Sequence, residues 1–177
     1  LCKKYKHTKS QQNIWVLVRA TNFDNWCPER PYIHGGGLSG KYYLENVHFH
    51  WSQSYLDGSE HHIGGRSFVH MLHVHEGYDL DDSAWPANMF AAVAIFVKVD
   101  NDGRNFRNLT NFRPHLLLPH DTSTFYRYNG SLSTPPCSEK VTWFVLTNPI
   151  SITDEQVLSL CPLSRPAFKN ISQQLTL

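Results

Sequence analysis

The sequence has no run of lysine and arginine. Its 177 residues carry a formal net charge of +1, with 18% of positions charged. That excludes the basic footprint by which nucleic-acid binders hold phosphates. Long apolar runs are also missing. The longest, Met89 to Val99 interrupted by Lys98, is too short to cross a bilayer as a helix. The four cysteines (Cys2, Cys27, Cys137 and Cys161) have no CxxC spacing, so a cysteine zinc site is not expected, while one or two disulfides are. No internal repeat or low-complexity linker divides the chain, and residues 1–177 read as one domain with enough residues to bury a core. No signal peptide precedes Leu1, and the first residue is not methionine. The expectation is a processed or partial sequence, which leaves secretion open.

Short β-type runs dominate what is present. Ile14–Val18, Tyr42–Trp51, Ser67–His75, Phe90–Val99 and Val141–Leu146 are rich in Val, Ile, Phe, Tyr and Trp. Gly, Pro, Asn or Asp bound them, and Gly35-Gly36-Gly37 reads as a turn. The clearest helix start is Thr153-Asp154-Glu155-Gln156, a capping box leading into Val157 and Leu158. Strands outnumber helices, which predicts a mainly β (α+β) domain around a large twisted, mostly antiparallel sheet with few short helices.

Eleven of the residues are histidine, and several cluster. Side chains alternate along a strand, so His48 and His50 share a face, with Asn46 beside them. A second strand offers His70, His73 and His75. Two histidines from one strand and one from its neighbour supply the three nitrogens typical of catalytic zinc, leaving a fourth position for water or substrate. Strand parity cannot choose the third histidine while the register is unknown.

The segment Gly35-Gly-Gly-Leu-Ser-Gly-Lys-Tyr-Tyr-Leu-Glu-Asn-Val-His-Phe-His-Trp51 resembles the alpha-class carbonic anhydrase segment that carries two zinc histidines. Gly58-Ser-Glu-His61 follows at the family's distance. Gly130-Ser-Leu-Ser-Thr-Pro-Pro-Cys-Ser-Glu-Lys-Val-Thr-Trp143 is similar to the family's catalytic loop and the strand after it. Asn148-Pro-Ile-Ser151 and Glu155-Gln-Val-Leu158 extend the likeness, which covers most of Tyr32 to Leu160.

The resemblance implies the alpha-class sheet, a Zn2+ cofactor, and reversible hydration of carbon dioxide to bicarbonate and a proton. It implies His48 and His50 as ligands. Counting without gaps from His61 makes His73 the third and puts Met71 where the family has a glutamate that orients a ligand. His70 is the alternative, because His70-Met-Leu-His73 also fits the family's His-x-x-His pair. His75 is then a pocket-wall residue. Glu60 and Ser133 resemble the pair that orients the attacking oxygen, with serine in place of the usual threonine. Thr134 and the Ser133 backbone N–H match positions that meet bicarbonate. Leu132, Val141, Trp143 and Ala92 map to the apolar wall where carbon dioxide waits. Asn46, His61 and Tyr128 resemble supporting residues, the last two buried.

The chain departs from the family in several places. Ile14 or Asn13 stands where fast members carry a proton-shuttle histidine, so a slower enzyme limited by proton release is expected. The family's opening segment and most of its closing one are absent, and a stretch between Asp102 and Asn108 is skipped. Cys137 sits where secreted members form a disulfide, and Cys2 or Cys27 would have to supply the partner. Asn108, Asn129 and Asn170 begin glycosylation sequons, which with the even cysteine count favours a secreted or extracellular protein, membrane-anchored if a further segment provides the anchor. Small molecules rather than nucleic acid are the expected partners, membrane contact is not evident, and the expected assembly is a monomer or weak oligomer. A competing reading is a carbonic-anhydrase-like binding or matrix protein with little or no turnover.

Overall fold

The computed structural model describes residues 15–51, 67–78, 86–99, 113–132, 137–152 and 173–176. Among them, nine strands form one twisted, mixed sheet: β1 Trp15–Thr21, β2 Tyr32–Ile33, β3 Tyr42–Trp51, β4 Ser67–His75, β5 Phe90–Val99, β6 Phe125–Gly130, β7 Val141–Leu146, β8 Ile150–Ile152 and β9 Gln173–Thr176. The main path runs β6-β7-β5-β4-β3-β1-β9, with β2 pairing β3 and β8 pairing β5. The centre, β3 to β5, is antiparallel. β7 and β8 both join β5 in parallel, one after the other along its edge, and β9 joins β1 in parallel. The helices among the described residues are two 3-10 turns, Phe23–Trp26 and Pro114–Leu117. The capping box at Thr153 lies outside the described residues.

Residues directly opposite one another in neighbouring strands share a face, so the register sorts the sheet into rows. One row holds Ala20, Val47, Met71, Val93 and Phe144. These residues belong to one apolar core, which is capped by Phe23, Trp26, Leu117 and Leu118. The next row along the strands holds Arg19, His48, His70, Ala94 and Val145, and beyond Val47 comes Asn46, Leu72, Ala92 and Trp143. The apolar members of these two rows belong to a separate core on the opposite face. We call this second face the front.

A bulge sets which side chains reach the front. Leu44 pairs with His73 and Asn46 pairs with Leu72, so Glu45 is an extra residue in β3. Without it Leu44 and Asn46 would share a face. With it Leu44 enters the rear core and Asn46 the front. Arg30 braces the bulge by donating from Nε to the Leu44 carbonyl at 3.2 Å and pairing with Glu45 at 3.0 Å.

Candidate metal centre

His48, His50 and His70 converge on the front face. Each offers a ring nitrogen, and the three nitrogens lie within 4.8 Å of one another. The ring centroids stand 4.9 Å (His48–His50), 5.3 Å (His48–His70) and 4.4 Å (His50–His70) apart. Three nitrogens about 2.0–2.1 Å from a tetrahedral zinc ion stand roughly 3.3–3.4 Å from each other. His50 and His70 are each 1% exposed, and His48 is less deeply set. Burial first, then the charges of His50 and Arg19, holds His48 well below the usual imidazole range. It is therefore neutral near pH 7, the form a metal requires.

Asn46 fixes the His48 ring. Its side-chain oxygen lies 2.7 Å from His48 Nδ1. A carbonyl oxygen only accepts, so Nδ1 carries the proton and Nε2 keeps a lone pair for the metal. Donor chemistry, convergence and tautomer thus all fit zinc, and His48, His50 and His70 are the residues that would hold it.

The third member of this set is His70, which corrects the expectation of His73. His70 pairs directly with His48, whereas His73 pairs with Leu44 and Ala91. Positions three apart in a strand face opposite ways, and His73 enters the rear face at 3% exposure. There its Nδ1 donates to the Ala91 carbonyl at 3.2 Å. Met71 is likewise in the rear core, so the role expected for it behind a ligand loses its basis. His75 hydrogen-bonds the Glu76 carbonyl through Nδ1 at 2.8 Å and packs edge-on to Tyr42 with centroids 4.9 Å apart, away from the three ligands.

An apolar wall stands beside the histidines. Ala92, Val141 and Trp143 are buried in the front core with Leu132 packed against them, and the Trp143 and His70 ring centroids are 5.0 Å apart. Trp143 is fixed in turn, its Nε1 donating to the Ser131 carbonyl at 3.1 Å. Tyr128 stacks on its ring with planes 8° from parallel. The expectation that Tyr128 is buried is corrected, since it is 37% exposed on β6. Among the described residues strand β6 ends the sheet, and no described strand covers its outer side. Glu60, His61, Ser133 and Thr134 lie outside the described residues. So do Cys2, Cys161, Asn108, Asn170 and the position expected for the shuttle. Sequence reasoning missed Arg19, which pairs in register with His48. The pairing of β1 with β3 was the signal, and it is not visible in the sequence.

Comparison with known proteins agrees with the site. Residues 2–175 match the family model described as eukaryotic-type carbonic anhydrase. A Caenorhabditis elegans protein named as a carbonic anhydrase is 37% identical over 82% of this chain and 54% of its own length. Human carbonic anhydrase 7 is 35% identical over 75% of this chain and 58% of its own. Mouse carbonic anhydrase 4 is 35% identical over 71% and 48%. The chain therefore spans about half the length of these curated relatives.

Proposed function

The chain belongs to the eukaryotic-type carbonic anhydrase family, a zinc-dependent class, and on that premise we propose that it catalyses the reversible hydration of carbon dioxide to bicarbonate and a proton. The observation that carries the proposal is the convergence of His48, His50 and His70 beside the Leu132, Val141 and Trp143 wall. Carbonic anhydrase is itself the reference case for what zinc supplies: when bound, it makes a water molecule nucleophilic near neutral pH. The chain's residues do the rest. Asn46 holds the tautomer that points His48 Nε2 inward. The apolar wall receives an uncharged, weakly hydrated gas without competing hydrogen bonds. We assign Glu60 and Ser133 to orienting the attacking oxygen, and Ser133 and Thr134 to meeting bicarbonate, with His61 in support. Those assignments rest on the sequence resemblance.

Proton release is proposed to limit turnover, because Asn13 or Ile14 replaces the shuttle. Added imidazole buffer should then accelerate hydration, and an unchanged rate would oppose this reading. We also propose an oxidising, extracellular setting. Of the two described cysteines, Cys27 is exposed and free, which removes it from the pairing considered for Cys137; a disulfide from Cys137 to another cysteine is part of this proposal. Asn129, in the one sequon within the described residues, is exposed on β6. The decisive experiment is purified protein assayed for bound zinc, carbon dioxide hydration and sulfonamide inhibition. One zinc per chain with inhibitable hydration is expected. A full complement of zinc without hydration would overturn the proposal and favour the binding-protein reading.

A further inference from the structure

Arg19 stands in the same row as two of the ligand histidines. It is the Cα partner of His48, and His48 is the partner of His70. Directly opposed residues of an antiparallel pair project from the same face with Cβ atoms about 4.5–5.5 Å apart. An irregularity in β1 between Val16 and Arg19 sets this register. It sends the next residue, Ala20, into the rear core and leaves Arg19 exposed on the front. Arg19 is thus an exposed cation in the row that holds His48 and His70.

The rows across the front face, from Asn46 and His48 to Trp143 and Val145, contain no carboxylate among the described residues. The arginine ion pair described is Arg30–Glu45 at the β3 bulge.

A fixed positive charge distinguishes the two sides of the proposed reaction. Carbon dioxide is neutral and gains little from it. Bicarbonate is an anion and gains directly. We propose that Arg19 is an anion-selecting residue at the mouth of the metal site, strengthening the hold on bicarbonate and other small monovalent anions while opposing the arrival of the metal dication. The inference rests on the metal-site reading above and deepens it. A guanidinium several ångströms from the anion, in a partly solvated cleft, changes affinity by roughly three- to tenfold.

The test uses the whole chain loaded with cobalt in place of zinc, so that anion binding is read from the visible spectrum and not from turnover. Wild type, Arg19→Gln and Arg19→Lys are titrated with bicarbonate and with iodide at low and high salt. Arg19→Gln should bind both anions three- to tenfold more weakly, with a shallower salt dependence, and Arg19→Lys should recover most of the loss. Apo Arg19→Gln should also take up zinc more tightly. Equal anion affinities in all three proteins would overturn the inference, even if hydration is normal. A metal-loaded protein that fails to hydrate carbon dioxide but shows the expected order of anion affinities would sustain it, while hydration itself failed.

Discussion

His70 and His73 are separated by two residues on one strand, yet the sheet gives them different work. His70→Ala removes one of three convergent nitrogens and should abolish tight zinc binding while the fold persists. His73→Ala should keep stoichiometric zinc, because its ring is on the rear face. It deletes a buried ring and a hydrogen bond to Ala91, so it should cost about 2–4 kcal/mol of stability. Zinc content and denaturant midpoint, measured on both variants, separate the two roles. Loss of zinc from His73→Ala would show the assignment to be wrong. Asn46 makes a subtler prediction. Asn46→Ala leaves the His48 tautomer unfixed, which should weaken zinc binding roughly 10- to 100-fold, and Asn46→Asp should restore or exceed wild-type affinity. Competition with a chromogenic chelator measures both. The sequence placed His48, His50 and Asn46 on one face because they alternate in a clear strand. It could not rank His70 against His73, because β4 is buried on both faces. Val69, Met71, Leu72 and Val74 are all in core, and a doubly buried strand has no polar alternation to reveal which way a residue points.

At the scale of elements, strong apolar runs were legible and edges were not. The expected bounds of β3, β4, β5 and β7 coincide with those found, since each is long, β-branched or aromatic, and closed by turn residues. Strand β6 was not anticipated. Its residues Phe125, Tyr126, Arg127 and Tyr128 are exposed along an edge, so burial leaves no pattern in their order. The three short strands β2, β8 and β9 carry too few residues to show a period. The glycine turn before β3 was legible for a conformational reason that can be tested. Gly35 and Gly36 have φ of +81° and +59°, where any side chain costs about 1–2 kcal/mol. A Cβ at Gly35 would meet open space, whereas one at Gly36 would come within 2.9 Å of the Phe144 ring. Gly35→Ala should therefore lower stability by about 1 kcal/mol, and Gly36→Ala by clearly more, because Phe144 must also shift in the rear core. Chemical denaturation of the two variants decides this. Equal losses would mean that the close approach is not felt.

For the whole molecule, the same burial that prepares the site makes the fold acid-sensitive. His73 is held at about 4, first by burial and further by the charge of Arg30, against the opposing hydrogen bonds to the Ala91 and Met71 backbones. His48 is lowered in the same direction. A histidine that stays neutral in the folded state, yet protonates near 6.5 when unfolded, makes the unfolded chain bind more protons between those values. Its contribution to stability is thus complete above about pH 6.5 and is lost as pH falls towards 4, where it levels off. For His73 alone that window corresponds to about 3 kcal/mol. Domains of this size are stable by only about 5–15 kcal/mol, so one rear-face histidine could decide survival in mild acid. Metal-free protein should lose stability steeply from pH 6.5 to 4. His73→Gln, which keeps an N–H donor for the Ala91 carbonyl but cannot titrate, should start less stable and show a slope shallower by about one proton, roughly 1.4 kcal/mol per pH unit. Using apo protein separates this effect from proton competition at the ligands. Parallel slopes for the two proteins would place the acid sensitivity on other groups, with His48 the first to examine.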